Sequence, residues 1–528
     1  MGERGAGKRR GLKGAAAAAV VLAGLWLARR PLPPPHQDLV DASPPADSYA
    51  NTTDTTLGRA VAEGRPQDAD PGLSGIYTLA DGRDAFVARA MLVDTAERTI
   101  DVQYYIWHDD TAGRLLLQGL RRAADRGVRI RLLLDDNNTA GLDPILRGLD
   151  AHATIEVRLF NPFMHRRARP VDFVTDFGRT NRRMHNKSFT VDHQATIVGG
   201  RNMGDEYFDA GQGTMFADLD VLAVGPVVEE VSEDFERYWT SASTYPAASI
   251  LRPGPSEDVG TEPSTDPDTQ TYLHALSHST LWQHLQSGRL AFTWAPTRVV
   301  SDDPAKGLGR AAKKNLVVTP LGAELDQARQ SALIVSPYFV PTRQGVRTLV
   351  GLVRRGAHVS VLTNALSATD VAAVHAGYIP YREALLRGGV ELYEMKRDAT
   401  VVEPPGGGHL LGSGGRLSSG GSSLHAKTFA VDGRVLFVGS FNMDPRSARL
   451  NTEMGVLIDS PELAGELAIA KAESAGTLSY HVTLGADGLV WTSEEDGQTV
   501  RYTSDPHTHW IQRAGVRVLS WLPIDGLL

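Results

Sequence analysis

The chain has 528 residues, which is more than one ordinary domain needs and suits two or three. Apolar residues make up 42% and charged residues 22%, as in a globular protein with a sizeable core, and a formal charge of −8 argues against a dedicated nucleic-acid binder. The absence of cysteine excludes disulfides, thiolate metal ligands and cysteine nucleophiles.

Residues 1–35 have the layout of a targeting segment or membrane anchor. Basic residues precede an apolar run over 14–28, and Arg29, Arg30 and a proline-rich stretch follow it. The run is shorter than the roughly 20 residues that span a bilayer, so a signal peptide, a short anchor and an interfacial helix stay open. Because the two arginines disfavour cleavage, we expect an uncleaved anchor. The basic residues before the run favour an orientation with the bulk of the chain outside the cytoplasm.

A layered α/β unit is predicted after a polar linker over 36–71. An apolar strand at 99–107 precedes an amphipathic helix at 115–125 that Gly127 ends, and a second strand follows at 128–134. The order strand, helix, strand predicts a right-handed crossover between parallel strands of one sheet.

The same order returns over 331–393, which indicates an internal duplication. We therefore predict two similar halves, 72–245 and 313–475, with a cleft between them that suits a ligand. A linker and helical insertion, 246–312, joins the halves, and a C-terminal extension, 476–528, follows them.

Two copies of one signature fall at corresponding places in the halves. The first copy reads MHNKSFTVDHQATIVGGRNMGDEYF, and the second reads LHAKTFAVDGRVLFVGSFNMDPRS. At identical offsets they supply His185, Lys187, Asp192 and Asn202, and His425, Lys427, Asp432 and Asn442. A single His-x-Lys is weak evidence. Five residue types, these four and the glycines at 199 and 439, are repeated at fixed offsets in a duplicated topology, which indicates one shared catalytic site.

Strand geometry explains the spacing within each signature. Residues two apart on a strand face the same side, so each histidine and its lysine point into one site. Asp192 and Asp432 complete the catalytic set, although they fall at turns, where bracing the hairpin is the simpler role. The asparagines can donate to an anionic oxygen.

These copies resemble the His-Lys-Asp signatures of the phospholipase D superfamily. The resemblance covers most of residues 75–475, and stretches such as ADRGVRIRLLLDDNNT and SARLNTEMG are more narrowly similar to bacterial cardiolipin synthases of the C type. It implies an α/β fold of two duplicated phospholipase D-like α/β/α sandwich halves packed around one central active-site cleft, as the duplication predicts.

The resemblance also implies a phosphatidyltransferase that forms cardiolipin through a covalent phosphohistidine. A neutral imidazole attacks phosphorus, and the opposite, protonated histidine serves as acid and then as base. By analogy with relatives, His185 attacks and His425 is the acid/base. Lys187, Lys427, Asn202 and Asn442 would surround the phosphate oxygens, so no metal and no cofactor are expected.

A carboxylate should orient each histidine. Glu453 resembles the acid of the family in the second half. Aligned apolar runs put Asp218 opposite it in the first half, with Asp220 as the competing choice. Ordinary charges at strand ends are the alternative for all three.

Three softer features concern the substrate. Arginines at 166, 167, 169, 182 and 183 can hold anionic headgroups or form a solvated loop. Tyr104 can line the cleft or belong to the core. The tail from Trp510 mixes tryptophan, leucine and arginine, which suits a membrane-surface helix or packing on the body of the protein.

The expected partners are phospholipids, phosphatidylglycerol and also phosphatidylethanolamine, at a membrane surface, with no nucleic acid. The resemblance implies the bacterial inner membrane as location. Alternative functions are a phospholipase D-type hydrolase that releases phosphatidic acid, a phosphodiesterase or nuclease, and a non-catalytic membrane scaffold.

Overall fold

The computed structural model describes residues 32–33, 52–211, 215–369, 371–397 and 422–521. The predicted anchor, 1–35, lies almost wholly outside the described residues, as do the first part of the linker and residues 522–528. In the part of the chain that is described, no helix is both long enough and apolar enough to cross a bilayer.

Twenty strands and seventeen α-helices make up the described residues. The strands are β1 (Leu73–Leu79), β2 (Thr99–Ile106), β3 (Arg129–Asn138), β4 (Ile155–Phe160), β5 (Ser188–Val191), β6 (Ala195–Gly199), β7 (Met215–Ala217), β8 (Asp220–Val224), β9 (Thr244–Pro246), β10 (Thr293–Ser301), β11 (Ser331–Val335), β12 (His358–Asn364), β13 (Glu391–Met395), β14 (Ser422–Leu424), β15 (Thr428–Val431), β16 (Val435–Gly439), β17 (Met454–Asp459), β18 (Ser479–Gly485), β19 (Gly488–Glu495) and β20 (Gln498–Tyr502). The helices are α1 (Thr56–Gly64), α2 (Gly82–Thr95), α3 (Thr111–Asp125), α4 (Asp143–Asp150), α5 (Pro170–Thr175), α6 (Phe177–Thr180), α7 (Val227–Trp239), α8 (Ala247–Ile250), α9 (Pro267–Leu276), α10 (Thr280–Gln286), α11 (Val318–Asp326), α12 (Thr342–Arg354), α13 (Ala372–Tyr378), α14 (Arg382–Arg387), α15 (Pro445–Arg449), α16 (Pro461–Ser474) and α17 (Trp510–Leu519).

The two halves repeat one sheet topology. The first sheet has the order β1-β8-β6-β5-β2-β3-β4-β9, and the second has the order β10-β17-β16-β15-β11-β12-β13-β18 with β19 and β20 added. In each, three central strands run parallel and the signature hairpin is antiparallel to them. The predicted duplicated α/β fold is confirmed.

Strand β10 joins the two sheets. Its first part, from Thr293 to Pro296, pairs with β1, and its second part, from Thr297 to Ser301, pairs with β17. Helices α9 and α10 account for the predicted insertion at 246–312, but the end of that segment is an edge strand of the second half. The second sheet therefore begins before residue 313.

An apolar core lies between the halves. It combines Val198 and Val221 of the first half with Leu436, Val438 and Val456 of the second, all almost completely buried. Separate cores lie under the helices of each half. The interface core holds the two signature hairpins against each other.

The signature aspartates pin each hairpin to the strand beside it. Asp192 and Asp432 have positive φ angles of 48° and 52° at the hairpin turns, a conformation that aspartate tolerates better than most residues. Asp192 accepts hydrogen bonds from the amides of residues 97, 98 and 99 at 2.8–3.0 Å, where β2 begins. Asp432 accepts from the amides of residues 329, 330 and 331, where β11 begins.

The expectation that Asp192 and Asp432 are catalytic is therefore corrected. Their carboxylate oxygens bind backbone amides at the far end of the hairpin strands from the histidines, so they brace the frame. Their position at a turn already indicates this bracing role.

We predict that Asp192→Ala lowers the free energy of unfolding by about 3 kcal/mol, because it leaves three amides without their charged acceptor. Asp432→Ala is the matched variant and should cost less, since Asp432 is partly exposed and water can replace it. Thermal unfolding of both variants is the measurement. Unchanged stability with a lost turnover rate would return these residues to the catalytic set.

Candidate active site

Two short sets of backbone hydrogen bonds connect the halves at the place where the two signatures meet. The amide of His185 donates to the carbonyl of Thr452, and the amide of His425 donates to the carbonyl of Ala217, both at 2.8 Å. Strands β7 and β14 pair in parallel just before His425. Each histidine is thus positioned by a strand of the opposite half.

Each histidine also binds a carboxylate of the opposite half. Nδ1 of His185 lies 2.7 Å from Oε2 of Glu453, and Nδ1 of His425 lies 2.5 Å from Oδ2 of Asp218. Both carboxylates are fully buried. With Nδ1 held in this way, Nε2 is the nitrogen of each ring that remains for a substrate.

Asp220, the competing candidate, does not orient a histidine. Its Oδ2 lies 2.8 Å from Nη2 of Arg89 and 3.5 Å from Nη1 of Arg201. Both arginines are buried and need a counter-charge, which Asp220 supplies. The assignment of Asp220 as a histidine-orienting acid is therefore wrong.

The two signature lysines are buried beside their histidines. Nζ of Lys187 donates to the carbonyl of His185 at 2.7 Å. Nζ of Lys427 donates to the carbonyl of His425 and lies 2.8 Å from its Nδ1. The lysines therefore supply the positive charge of the site.

The charges of both halves act on one another. Burial lowers the pKa of Lys187 to about 7; Glu453 opposes this shift and Lys427 adds to it. Burial lowers the pKa of His185 to about 4, again against Glu453 and with help from both lysines. Lys427 of the second signature therefore contributes to the electrostatic environment of both first-signature residues.

The second histidine lies in a different electrostatic setting. Burial and then Lys427 lower the pKa of His425, and Asp218 opposes them. Burial raises the pKa of Asp218, but Lys427 and His425 outweigh it and hold that pKa well below its usual range. The pKa of Glu453 is also lowered, by His185 against the effect of burial.

Aromatic rings flank both histidines. The ring of Tyr105 lies edge-on 4.9 Å from His185, while Phe216 stacks at 4.9 Å on His425 and Tyr207 lies edge-on at 5.2 Å. Tyr104, for which lining the cleft and a core role were both open, is a core residue: it is buried, and its hydroxyl accepts from Nε of Arg89 at 3.0 Å. Neighbouring residues of a strand face opposite sides, so Tyr105 faces the site while Tyr104 faces the core. The register of β2 also shifts between Tyr104 and Ile106.

The two asparagines differ in how fully they are bonded. Nδ2 of Asn202 donates to the hydroxyl of Tyr207 at 2.9 Å, and its Oδ1 accepts from the amide of Ile106 at 3.2 Å. Asn442 is buried, and its Oδ1 makes no hydrogen bond within the described part of the chain. Asn202 therefore positions the wall beside His425, whereas Asn442 keeps a polar atom for a ligand.

One difference between the signatures sets the two acids apart. Oγ of Ser440 donates to Oε2 of Glu453 at 2.6 Å. The first signature has Gly200 at the matching place, where a Cβ would lie 2.1 Å from Oδ1 of Asp218. Sequence reasoning did not identify Ser440 as a residue that positions Glu453, although the Gly-Gly and Gly-Ser pairs mark the difference.

Within the described ranges, one group offers the donor atoms of a cation site. His108, Asp110 and Glu206 present ligand atoms within 4.8 Å of one another. Asp110 already accepts from the amides of Gly113 and Asp205. The group contains no signature residue.

Comparisons with known proteins agree with this geometry. A family model described as "Cardiolipin synthase, PLD-like domain" matches residues 91–239 and again 321–470. Cardiolipin synthase C of Escherichia coli K12 is 47% identical over 464 residues, which are 87% of this chain and 97% of that protein. The major cardiolipin synthase ClsA of Bacillus subtilis 168 is 25% identical over 75% of this chain and 67% of its own.

A solved structure supports the fold. Phosphatidylserine synthase of Haemophilus influenzae Rd KW20 superimposes with a TM-score of 0.54 at 12% identity, over 88% of this chain and 96% of its own. The repeated match to the family model and the relative with 47% identity show the membership that the signatures predict. The chain belongs to the cardiolipin synthase family, whose members carry phospholipase D-like domains.

Proposed function

We propose that this protein is a phosphatidyltransferase that joins two phospholipids into cardiolipin through a covalent phosphohistidine. The observation that carries this proposal is the pair of crossed histidine–carboxylate contacts with both lysines in one buried cluster. The similarity to a protein named cardiolipin synthase C over most of both chains supports the lipid product.

His185 is the nucleophile in this proposal. Its pKa of about 4 keeps the imidazole neutral near pH 7, so it approaches an anionic phosphodiester without added negative charge. Glu453 accepts a hydrogen bond from Nδ1–H, which leaves the lone pair of Nε2 directed at substrate.

His425 is the general acid and base. Burial and Lys427 lower the pKa of His425, so the imidazolium that the acid step needs depends on the ionised Asp218 and on the negative charge of the bound phosphodiester. Nε2 of His185 attacks phosphorus, and His425 gives its proton to the departing glycerol or ethanolamine oxygen. His425 then takes the proton of the acceptor hydroxyl, whose oxygen attacks phosphorus and releases His185.

The lysines and Asn442 surround the phosphate in this scheme. Two ammonium groups in a buried site stabilise charge on non-bridging oxygens more strongly than they would in water. Asn442 donates from its side-chain amide nitrogen to a phosphate oxygen in this proposal, because its amide oxygen can only accept. Asn202 acts through Tyr207 and is a positioning residue.

We assign membrane contact to the outer face of α17. Trp510 and Trp521 are 71% and 76% exposed, and Ile511 and Val518 are also exposed. At 100° per residue Trp510, Ile511 and Val518 lie on one side of the helix, and Trp521 follows two residues after its end. The opposite side packs through Val516 on Leu366 and Ala376, so packing on the body leaves the proposed membrane face free.

The proposal also includes the expected membrane location, lipid substrates and domain bounds. Residues 1–35 are an anchor that leaves the bulk of the chain outside the cytoplasm, at the bacterial inner membrane. Phosphatidylglycerol is donor and acceptor, phosphatidylethanolamine is a second donor, and nucleic acid is not a substrate. The halves 72–245 and 313–475 are the domains, with β10 serving both sheets.

We predict that the purified full chain converts phosphatidylglycerol in mixed micelles to cardiolipin, with or without phosphatidylethanolamine. His185→Ala should abolish product and the phosphohistidine trapped at alkaline pH, and His425→Ala should slow turnover at least about 100-fold. Lipid chromatography measures the products. Phosphatidic acid as sole product would reassign the protein to hydrolysis, and full activity in either variant would overturn the mechanism.

We predict that kcat/KM falls as pH rises through about 7, because Lys187 is charged below its pKa and neutral above it. Lys187→Arg keeps the charge at high pH, so the alkaline fall should move upward by at least one pH unit. Lys427→Arg is the matched variant. An alkaline fall at the same pH in Lys187→Arg would exclude this lysine as its source.

We predict that Trp510→Ser combined with Trp521→Ser weakens binding to phosphatidylglycerol vesicles about tenfold or more, since it removes two large apolar contacts. Ile469→Ser is the control, because Ile469 is 60% exposed on α16. Sedimentation with vesicles measures binding. Equal losses in both variants would show that α17 has no special part in docking.

A further inference from the structure

Two aromatic rings cover His425, the proposed acid and base. The ring of Phe216 stacks on the imidazole at 4.9 Å with 28° between the planes, and the ring of Tyr207 lies edge-on at 5.2 Å. The two rings also contact each other at 5.0 Å. Tyr207 is buried, whereas Phe216 is partly exposed. Phe216 therefore covers one face of His425 on a side that reaches solvent.

Backbone hydrogen bonds between the halves hold Phe216 over the histidine. Its strand, β7, pairs in parallel with β14, so that Phe216 lies opposite Ser423. The amides of His425 and Ala426 both donate to the carbonyl of Ala217, at 2.8 and 3.0 Å. The stacked ring and the histidine thus lie on two segments that are bonded to each other, which fixes their separation.

The repeat places a different residue at the matching position of the other half. The carbonyl that accepts from the amide of His185 belongs to Thr452, which has the position that Ala217 has for the second histidine. The residue before Ala217 is Phe216, and the residue before Thr452 is Asn451. Asn451 is buried, and its Oδ1 makes no hydrogen bond with the described residues. An aromatic ring in one copy thus corresponds to a polar amide in the other.

The two histidines meet different reactants in the proposed transfer. Nε2 of His185 attacks phosphorus from one side, and the leaving and acceptor oxygens occupy the opposite side, beside His425. Water and a lipid hydroxyl compete for that place in the second step. An ordered water needs about two to four polar partners, which an aromatic ring does not offer, whereas the carbon atoms of an alcohol are stabilised by contact with the ring.

We propose that Phe216 selects a lipid hydroxyl over water as the acceptor, and thereby makes the site a transferase and not a hydrolase. The inference rests on the proposed function, because it concerns the second step of that reaction. In this step the acceptor oxygen forms a bond to phosphorus, the bond from phosphorus to Nε2 of His185 breaks, and the acceptor proton goes to Nε2 of His425. Phe216 determines specificity and exchanges no proton, and Tyr207 supports its ring.

The ratio of the two products tests this role. The full chain receives phosphatidylglycerol in mixed micelles, and chromatography measures phosphatidic acid and cardiolipin. Phe216→Asn gives His425 the residue type of the matching position in the other half. It should raise the ratio of phosphatidic acid to cardiolipin about tenfold or more, because an amide offers water a polar partner. Phe216→Leu keeps an apolar side chain and should change the ratio less than about threefold.

The ratio does not depend on how much of a variant folds, since both products come from one covalent intermediate. Tyr105→Ala is the matched control, because Tyr105 flanks His185 and not the acceptor side. It should slow turnover and leave the ratio within about twofold. An unchanged ratio in Phe216→Asn, or an equal rise in Tyr105→Ala, would overturn the inference. A wild-type chain that forms phosphatidic acid alone would instead overturn the proposed function.

Soluble alcohols test the contact with the ring directly. The wild-type chain should transfer the phosphatidyl group to butanol in preference to glycerol, because butanol has the larger apolar surface. Phe216→Ala removes the ring without adding a polar group, so it should reduce this preference at least about fivefold, and it answers the same question should Phe216→Asn lose all turnover. An equal preference in the wild-type chain and Phe216→Ala would assign the choice of acceptor to other residues and overturn the role of Phe216.

Discussion

The rest of the structure depends on the two histidine–carboxylate hydrogen bonds that cross between the halves. Glu453 and Asp218 are fully buried, and each is stabilised by a histidine of the other half. Separating either pair leaves a buried carboxylate without this donor, which costs about 3 kcal/mol. The halves therefore cannot shift past each other at little cost. The shared strand β10 and the apolar core between the hairpins add constraints in the same direction.

The two signatures repeat one pattern, but the residues around them give the two histidines different chemical environments. Both signatures have the same histidine and lysine, yet one acid is a glutamate held by Ser440 and the other is an aspartate that fills the space beside Gly200. The rings around the histidines differ as well. A two-step transfer needs one neutral and one protonated histidine, and environments that differ are the means by which proteins separate such roles.

The sequence predicts much of this arrangement, and its failures have physical causes. Strand periodicity puts each histidine and lysine on one face, and the repeated order of strands and helices predicts two halves with one cleft. Periodicity within one half aligns Asp218 with Glu453, but it is silent on contacts across the interface. The crossing of the acids therefore emerges only in three dimensions.

Other differences arise where one residue type serves two needs. Asp220 resembles Asp218 in the sequence, but buried Arg89 requires a counter-charge that no local pattern reveals. The arginines before the first signature do not form one uniform group, whether as ligands for anionic headgroups or as side chains of a solvated loop. Arg183 is buried against Asp135, and Arg166 against Asp136, whereas Arg167 stays exposed. The sequence pattern does not predict strand β10, because a strand that pairs with two sheets alternates only weakly between buried and exposed positions.

The positions of these features follow from the direction of the parallel strands. In α/β sheets, ligands bind beyond the carboxyl ends of the strands. The end of β3 carries Asn137, whose Nδ2 lies 3.5 Å from the hydroxyl of Tyr105, and the loop after β12 carries Leu366, on which α17 packs. Ala368 of that loop accepts a hydrogen bond from Ser423, two residues before His425. One sheet edge in each half thus lies beside a signature histidine, so the duplicated fold brings both histidines to the junction of the two halves.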